Sequence, residues 1–346
     1  MMALAEFARG EGVFDWLAGG TVRAARGSRV RLLLLVYGAG VATTALLSND
    51  ATIVALTPAV LAAIARTNAP PEPYVFACAL VANAASFVLP ISNPSNLLFF
   101  AAHMPPLATW FASFALASVA SVLLTYAALA FVFRHDLRGA LCVDGGRAAR
   151  PRMTALATLG AAGIVLVVTS SLRGPLGAVA FGLGVVAAIV AALARPRAPV
   201  AIARGIAWPV VALTAALFVL VDALDAAGAG SLPRALFAWA THASAPVARV
   251  GVAFAAAAAS NVVNNLPVAL DVGNAVGRVH PMPALGAAAL AGVNVGPNFT
   301  VNGSLATLLW LAVLRRAGIE VTALRFAAVG LAATPAALAV AALLAR

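Results

Sequence analysis

Long apolar runs, separated by short breaks rich in arginine or proline, follow one another along almost the whole chain. A helix needs about 20 apolar residues to cross the hydrocarbon core of a bilayer, so runs of this length predict membrane-spanning helices. Shorter runs predict segments that enter and leave the bilayer on one side. The runs cover residues 30–47, 51–65, 74–102, 107–133, 153–170, 175–194, 206–226, 245–276, 284–312 and 322–345.

The composition indicates that these helices lie in lipid. Apolar residues make up 63% of the chain, charged residues make up 10%, and the mean hydropathy is +1.00. A soluble domain would have to expose that apolar surface to water, so we expect an all-α polytopic membrane protein that contacts the lipid bilayer. The formal charge of +11 comes from arginines in short loops. It is therefore a topology signal, and we expect no nucleic-acid partner.

The distribution of arginine predicts which loops face the cytoplasm. The apolar pieces on either side of "LSNDAT" are short for a crossing, and both outer ends carry arginine: Arg29 and Arg31 before, Arg66 after. This pattern predicts a re-entrant hairpin at residues 30–66, with its tip near the middle of the bilayer. Most arginines then lie on one side, which should be the cytoplasmic side of the cell (inner) membrane. Counting the hairpin as a single crossing would weaken that bias.

The second half of the chain resembles the first. "LLSNDATIVALTP" has a partner in "AASNVVNNLPVAL", and "NAASFVLPISNPSN" has one in "NVGPNFTVNGS", about 211 residues downstream. Because the arginine pattern gives the two hairpins opposite orientations, we expect inverted repeats, each with a re-entrant hairpin and a broken transmembrane helix. The predicted divisions are a first repeat at residues 1–140 (hairpin 30–66, broken helix 74–102, helix 107–133), a cytoplasmic loop at 141–152 and a second repeat at 153–346 (hairpin 245–276, broken helix 284–312).

The repeat also predicts that the first half is incomplete at its N-terminus. Three apolar runs precede the second hairpin, whereas only a short segment precedes the first. Glu6 and Gly12 align by spacing with Asp222 and Gly228, so the chain begins inside the counterpart of the third of these runs. We expect roughly two and a half spans to be absent, through a misplaced start or a real truncation. Mass spectrometry of the native N-terminus would decide between the two.

Polar residues interrupt the apolar pattern at four places, most clearly at "SFVLPISNPSN". An unpaired amide or hydroxyl in hydrocarbon costs about 2 to 7 kcal/mol, and Pro90 and Pro94 remove further backbone donors. Such breaks are tolerated where they line a cavity, so we expect a substrate site, helped by the helix N-termini after Asn49 and Asn261. The alternative for any single residue is a hydrogen bond between helices. The candidate substrate-binding residues are Ser48, Asn49, Asn83, Ser92, Asn93, Asn96, Ser260, Asn261, Asn264, Asn265, Asn294, Asn298 and Asn302.

Three acids are candidates for proton coupling. Asp50 at the first hairpin tip is the one carboxylate that this interpretation places near the middle of the bilayer, where a charge costs roughly 2.5 to 3.5 kcal/mol. Its alternative role is a helix N-cap. Asp222 and Asp225 share a helix face near the end of a span, where a solvated or interface role is the alternative.

Metal and cofactor chemistry have no support in the pattern of ligand residues. The four histidines lie at the ends of spans without metal-ligand spacing. The two cysteines, Cys78 and Cys142, offer neither a disulfide framework nor a paired metal motif. We therefore expect no metal and no cofactor.

Four strings carry a family resemblance: "SNDATIVALTPAVLAAI", "PPEPYVFACALVANAASFVLPISNPSNLLFF", "SNVVNNLP" and "GVNVGPNFTVNGSLATLLWLAVLRRAGIEV". They closely resemble the arsenite efflux permeases, the arsenical pump membrane proteins of the ion transporter superfamily. The resemblance covers nearly the whole chain, and the family's N-terminal spans have no match. It implies a secondary active transporter, not an enzyme, that exports arsenite and antimonite in exchange for protons by alternating access. It also implies, in some cases, a cytoplasmic arsenite-stimulated ATPase as partner, and it leaves a homodimer open.

The chemistry of the polar residues fits this substrate and leaves alternatives open. Arsenious acid resembles a small uncharged triol, so amides and hydroxyls can meet its donors and acceptors without a counter-ion. A sodium/proton antiporter or an organic-anion carrier of the same superfamily would use similar Ser-Asn tips. An integral-membrane enzyme would need a clustered acid, histidine or metal constellation, which the sequence lacks.

Overall fold

The structure of the 346-residue chain is a computed structural model that describes residues 1–101, 104–143, 150–206, 208, 211–212, 215–216, 219, 223, 231–280 and 282–346. Within these ranges the regular elements are helices, and β-type pairing is confined to two isolated bridges, Ser28 with Ala140 and Thr67 with Val143. The helices with assigned bounds are α1 (Met2–Gly10), α2 (Val13–Ala24), α3 (Arg29–Leu46), α4 (Asn49–Ile64), α5 (Glu72–Ala84), α6 (Pro94–Phe99), α7 (Leu107–Val132), α8 (Met153–Ser171), α9 (Leu176–Ala194), α10 (Ala198–Gly205), α11 (Ser231–Ala240), α12 (Ala245–Val263), α13 (Asn265–Val279), α14 (Pro283–Val295), α15 (Leu305–Arg316) and α16 (Ala323–Leu344).

Six of the described helices are long and apolar enough to cross a bilayer: α3, α7, α8, α9, α12 and α16. Large apolar side chains stand exposed on them, for example Leu116 and Phe131 on α7 and Phe181 and Leu193 on α9. Such a surface is costly in water, whereas lipid tails cover it. The predicted all-α, multi-pass membrane protein is confirmed.

Helices α3 and α4 meet at a short break between Leu46 and Asn49. Ser48 caps α4, because its Oγ accepts a hydrogen bond from the Ala51 backbone N–H at 3.3 Å. The hydroxyls of Thr44 and Thr52 bond to each other across the break at 2.8 Å. Helix α4 then contains a π-helical turn, which often occurs at functional sites.

Two further helical stretches are interrupted, α5 before α6 and α14 before α15. After α5, Pro90–Ser92 form a single 3₁₀ turn, and Asn93 takes extended backbone as the N-cap of α6. After α14, Gly296–Asn298 form another 3₁₀ turn, and Ser304 is the extended N-cap of α15. A proline in or beside each turn removes a backbone donor, which favours a break in the helix there.

Small residues let α12 and α14 pack closely. A Cβ added at Gly292 would lie 2.1 Å from the Ala253 carbonyl oxygen, and one added at Gly296 would lie 2.3 Å from the Ala257 Cβ. The backbone of α14 therefore rests directly on α12. Contacts through small residues are typical of helices that associate in lipid, where no hydrophobic force drives them together.

An aromatic cluster joins the two halves of the chain. The ring of Trp310 on α15 lies 5.2 Å from Phe76 on α5 and 5.6 Å from Phe326 on α16, measured between centroids. The indole N–H donates to the Val75 carbonyl oxygen at 3.1 Å. Trp310 is fully buried. The second broken stretch is therefore anchored on the helix that begins the first.

The same order of elements occurs twice, as α3 to α7 and as α12 to α16. The opposite orientation of the halves and their predicted division at residues 1–140, 141–152 and 153–346 stay predictions. One boundary differs from expectation in the second predicted hairpin, between α12 and α13: the return helix α13 begins at Asn265 instead of directly after Asn261. Helix α12 continues to Val263, and Asn264 takes a positive φ of 86° and caps the new helix.

Candidate functional site

A cavity of about 340 Å³ lies where four helices begin. Its walls include the first residues of α4, α6 and α13 and the N-cap and first residues of α15, so all four polar interruptions border one space. Pockets for small molecules begin at about this volume. The described residues that line the cavity are Met2, Asn49, Asp50, Asn93, Pro94, Val211, Ala215, Asn265, Leu266, Ser304, Leu305 and Ala306.

Each of the four helix starts is capped by a side-chain oxygen. Besides Ser48 on α4, Asn93 Oδ1 accepts from the Ser95 N–H at 3.0 Å. Asn264 Oδ1 accepts from the Leu266 N–H at 3.3 Å, and Ser304 Oγ accepts from the Ala306 N–H at 3.2 Å. The caps explain why Ser and Asn occupy these breaks. The starts of α13 and α15, helices of 15 and 12 residues, also bring partial positive charge to the cavity.

Asn265 has unused hydrogen-bonding capacity at the cavity wall. Its side chain is 1% exposed, and its Nδ2 has no hydrogen-bond partner among the described residues. The Asn265 backbone N–H donates to the Gly303 carbonyl oxygen at 3.0 Å, which fixes the residue beside the second broken stretch. A buried amide without a partner is costly, and a bound oxygen atom would relieve that cost.

The charge at the cavity wall is a carboxylate. Among the described lining residues Asp50 is the only ionisable side chain, with no arginine or histidine beside it. The Asp50 backbone N–H donates to Asn49 Oδ1 at 2.9 Å, which holds both residues at the start of α4. The site can therefore accept and donate hydrogen bonds, but in the part of the chain that is described it offers an anion no side-chain counter-ion.

Behind the cavity, Asn294 on α14 bonds to three residues of the first broken stretch. Its Oδ1 accepts from Ser86 Oγ at 2.6 Å and from Asn93 Nδ2 at 2.9 Å. Its Nδ2 donates to Asn96 Oδ1 at 2.9 Å and to the Leu290 carbonyl oxygen at 3.0 Å. Asn294 is fully buried. The two broken stretches therefore meet through their amides.

A second amide pair joins the same stretches. Asn83 Nδ2 donates to Asn298 Oδ1 at 2.9 Å, and Asn298 Nδ2 donates to the Leu80 carbonyl oxygen at 3.1 Å. Ser86 Oγ, which also bonds to Asn294, lies 2.8 Å from the Asn83 carbonyl oxygen. Both pairs thus belong to one continuous buried network, which we call the amide network and define by Asn83, Ser86, Asn93, Asn96, Asn294 and Asn298.

The break between α12 and α13 is held by hydrogen bonds to the interrupted segment between α14 and α15. Asn261 Nδ2 donates to the Gly296 carbonyl oxygen at 2.8 Å, and its Oδ1 accepts from Thr300 Oγ1 at 2.7 Å. Asn264 Nδ2 donates to the Asn302 carbonyl oxygen at 3.2 Å. These side chains position the break and leave the cavity wall to Asn265.

The predicted site residues therefore divide into three groups. Four of them line the cavity: Asn49, Asp50, Asn93 and Asn265. The others are absent from the described lining. Most of them cap helices or bond to neighbouring segments, whereas Ser260 bonds within its own helix and Asn302 accepts through its backbone carbonyl. They are Ser48, Asn83, Ser92, Asn96, Ser260, Asn261, Asn264, Asn294, Asn298 and Asn302. Asp222 and Asp225 lie outside the described residues.

Ser304 lines the cavity and was not among the predicted residues. The internal repeat contains the signal that could have identified it. At the spacing that aligns Asn83 with Asn294, Asn93 aligns with Ser304, and both are N-caps of a helix that restarts after a break.

Comparison with known proteins places the chain among transporters. The sequence profile of the CitMHS family, described as "Citrate transporter", matches residues 1–294. Arsenical pump membrane proteins of Escherichia coli and Yersinia enterocolitica are 27% and 28% identical over 330 and 329 residues, which is 90% of this chain and 76% of each relative. The crystal structure of the Alcanivorax borkumensis YdaH transporter has a similar fold, with a TM-score of 0.52 and 16% identity over 99% of this chain and 82% of that one.

The six helices of spanning length, the family match and the arsenical pump relatives identify the chain as a multi-pass membrane transporter. In such proteins broken helices with polar ends hold the solute inside the bilayer. The chain belongs to the CitMHS family. Its predicted resemblance to the arsenical pump membrane proteins is confirmed.

Proposed function

We propose that this chain is a secondary active transporter that exports arsenite and antimonite in exchange for protons by alternating access. The observation that carries the proposal is one cavity that is bordered by four helix starts and lined by Asn49, Asn93, Asn265 and Ser304. The arsenical pump membrane proteins among its relatives support an arsenical as the solute.

The cavity chemistry supports a small uncharged solute rich in hydroxyls. Arsenious acid carries three hydroxyls, each able to donate one hydrogen bond and accept others. The amides of Asn93 and Asn265 can donate to its oxygens, and the Asp50 carboxylate can accept from its hydroxyls. A neutral triol needs no cationic side chain, and the described lining has none.

Asp50 gives a physical basis for exchange with protons. An ionised carboxylate without hydrogen-bond partners is costly to move through the bilayer. The part of the protein that carries Asp50 during alternating access therefore needs this carboxylate to be protonated or hydrogen-bonded. With arsenite bound, its hydroxyls donate to the carboxylate. Without arsenite, a proton from outside takes their place on Asp50, and this part of the protein returns and releases that proton to the cytoplasm. Export of arsenite is thereby coupled to proton entry.

The proposal includes further properties that the family resemblance implies. The arginine-rich loops face the cytoplasm, and the chain resides in the cell (inner) membrane. Arsenite reaches the cavity from the cytoplasm, in some settings with a cytoplasmic arsenite-stimulated ATPase. A homodimer is compatible with exposed apolar helices such as α9.

An organic-anion carrier is the second candidate. The family profile is described as a citrate transporter, and helix starts with partial positive charge favour carboxylates. Against this, Asp50 would repel an anion in the same cavity. A sodium/proton antiporter of the same superfamily is the third alternative, and it would show a dependence on sodium.

Transport into everted membrane vesicles separates these functions. Vesicles are prepared from cells that lack other arsenite pumps and are energised with a proton gradient that is acidic inside. Accumulation of arsenite is then measured with and without added antimonite, citrate or sodium. We expect proton-driven accumulation that antimonite inhibits and that citrate and sodium leave unchanged. Inhibition by citrate, or citrate uptake without arsenite uptake, would favour the organic-anion carrier instead.

A further inference from the structure

The Asn294 side chain bonds to three other members of the amide network, Ser86, Asn93 and Asn96, although it does not line the cavity. We infer that Asn294 is a positioning residue for transport: it makes no contact with the solute, and it orients the Asn93 amide toward the cavity. This inference rests on the proposed function only in assigning the cavity to the solute.

The hydrogen-bond partners of the Asn294 side chain are protein groups. A side-chain amide has two donor hydrogens and an oxygen with two lone pairs. Both hydrogens are donated, to Asn96 and Leu290, and the oxygen accepts from Asn93. The oxygen also lies 2.6 Å from Ser86 Oγ, whose one hydrogen is shared with the Asn83 carbonyl oxygen. Asn294 therefore has no donor left for a solute, and it does not line the cavity.

Asn93 has the complementary pattern. Its Oδ1 accepts from the Ser95 N–H, and one Nδ2 hydrogen goes to Asn294 Oδ1 at 2.9 Å. The second Nδ2 hydrogen has no partner among the described residues, and Asn93 lines the cavity. These two bonds hold the oxygen and the nitrogen of the Asn93 amide, so they fix the direction of its remaining N–H. The bond to Asn294 is one of the two.

The contact joins two buried amides from different halves of the chain. Asn93 and Asn294 are 201 positions apart, and both are at most 1% exposed. In a dry interior an amide that loses its partner turns toward another one, and rotation about the Asn93 side chain would remove the free N–H from the cavity. Loss of Asn294 should therefore weaken solute binding much as loss of Asn93 itself does.

A double-mutant cycle tests this coupling. The variants Asn93→Ala, Asn294→Ala and the pair are assayed in everted vesicles for the KM of arsenite, or of citrate if the wild-type chain transports that instead. Each single variant should raise KM about three- to tenfold, and the pair should raise it no further than the larger single effect. The matched control is Ser121→Ala, which removes another buried bond, from Ser121 Oγ to the Ala84 carbonyl oxygen at 2.9 Å, and should leave KM unchanged.

Three results would overturn the inference. The first is a double variant whose rise in KM is the product of the two single rises. The second is an Asn294→Ala variant whose KM stays at the wild-type value. The third comes from the same cycle measured by thermal unfolding, which reports the contact without any transport: additive shifts of the unfolding midpoint. If Asn294→Ala does not fold, Asn294→Asp takes its place. Its protonated carboxyl can still accept from Asn93 and donate to Asn96, so we expect KM within about twofold of wild type, and a tenfold rise would contradict the positioning role.

Discussion

Replacement of Asn265 by leucine should weaken solute binding and leave the fold as stable as before, or more stable. Asn265 lines the cavity, is 1% exposed and has a side-chain Nδ2 without a partner among the described residues. Leucine has nearly the same shape and removes a buried donor that the protein leaves unsatisfied. Stability and solute binding should thus change in opposite directions.

The magnitude follows from the cost of an unsatisfied buried polar group. That cost is about 1 to 3 kcal/mol, and a solute oxygen that accepts the Asn265 hydrogen bond recovers it on binding. Asn265→Leu should therefore raise the KM for arsenite by about 5- to 150-fold in everted vesicles. The midpoint of thermal unfolding in detergent should stay the same or rise. The helix start itself should persist, because its cap is the neighbouring Asn264.

Asn298→Leu is the matched control for Asn265→Leu. Asn298 is equally buried, but it accepts from Asn83 and donates to the Leu80 carbonyl oxygen. Its replacement leaves the Asn83 Nδ2 donor without this partner and removes a bond to the Leu80 carbonyl oxygen, so we expect a lower unfolding midpoint. A wild-type KM for Asn265→Leu, or a loss of stability as large as that of Asn298→Leu, would refute the reasoning.

Three further predictions concern coupling and packing. Asp50→Asn should abolish proton-driven accumulation of arsenite in everted vesicles but keep arsenite exchange, because an amide preserves the cavity and cannot carry the proton; accumulation at the wild-type rate would exclude Asp50 from coupling. Trp310→Ala should destabilise the protein by about 3 to 5 kcal/mol, since the ring is fully buried against Phe76, and an unchanged unfolding midpoint would contradict this packing role. Glu72→Gln should change stability by about 1 kcal/mol or less, because Glu72 and its partner Arg325 are 39% and 46% exposed; a much lower midpoint would show that the pair matters more than its exposure suggests.

The helical membrane fold was predictable because lipid imposes a simple rule. Every backbone polar group must bond within its own helix, so long apolar runs such as the one in α7 can have only one regular structure. The breaks were predictable because prolines remove backbone donors and buried amides need hydrogen-bond partners, and both interrupt a helix within an apolar run. Neither inference depends on which side chains meet across the fold.

The partners of individual amides could not be predicted from the sequence. Asn261 and Asn264 are both plausible caps for α13, and the choice depends on the backbone at Asn264 taking a positive φ and on the bond of its side chain to the Asn302 carbonyl. Asn294 and Asn93 are both buried amides beside a helix break, yet Asn294 uses both of its donor hydrogens and Asn93 keeps a free N–H. Such differences arise from contacts between residues about 200 positions apart.

The location of bound arsenic tests the account most directly. Crystals grown with arsenite, measured for the anomalous scattering of arsenic, would reveal the atom without any assumption about the transport cycle. We predict one arsenic peak in the cavity, with its oxygens within hydrogen-bond distance of Asn93, Asn265 and Ser304. A peak at Cys78 or Cys142, or at any site away from the four helix starts, would contradict the central claim.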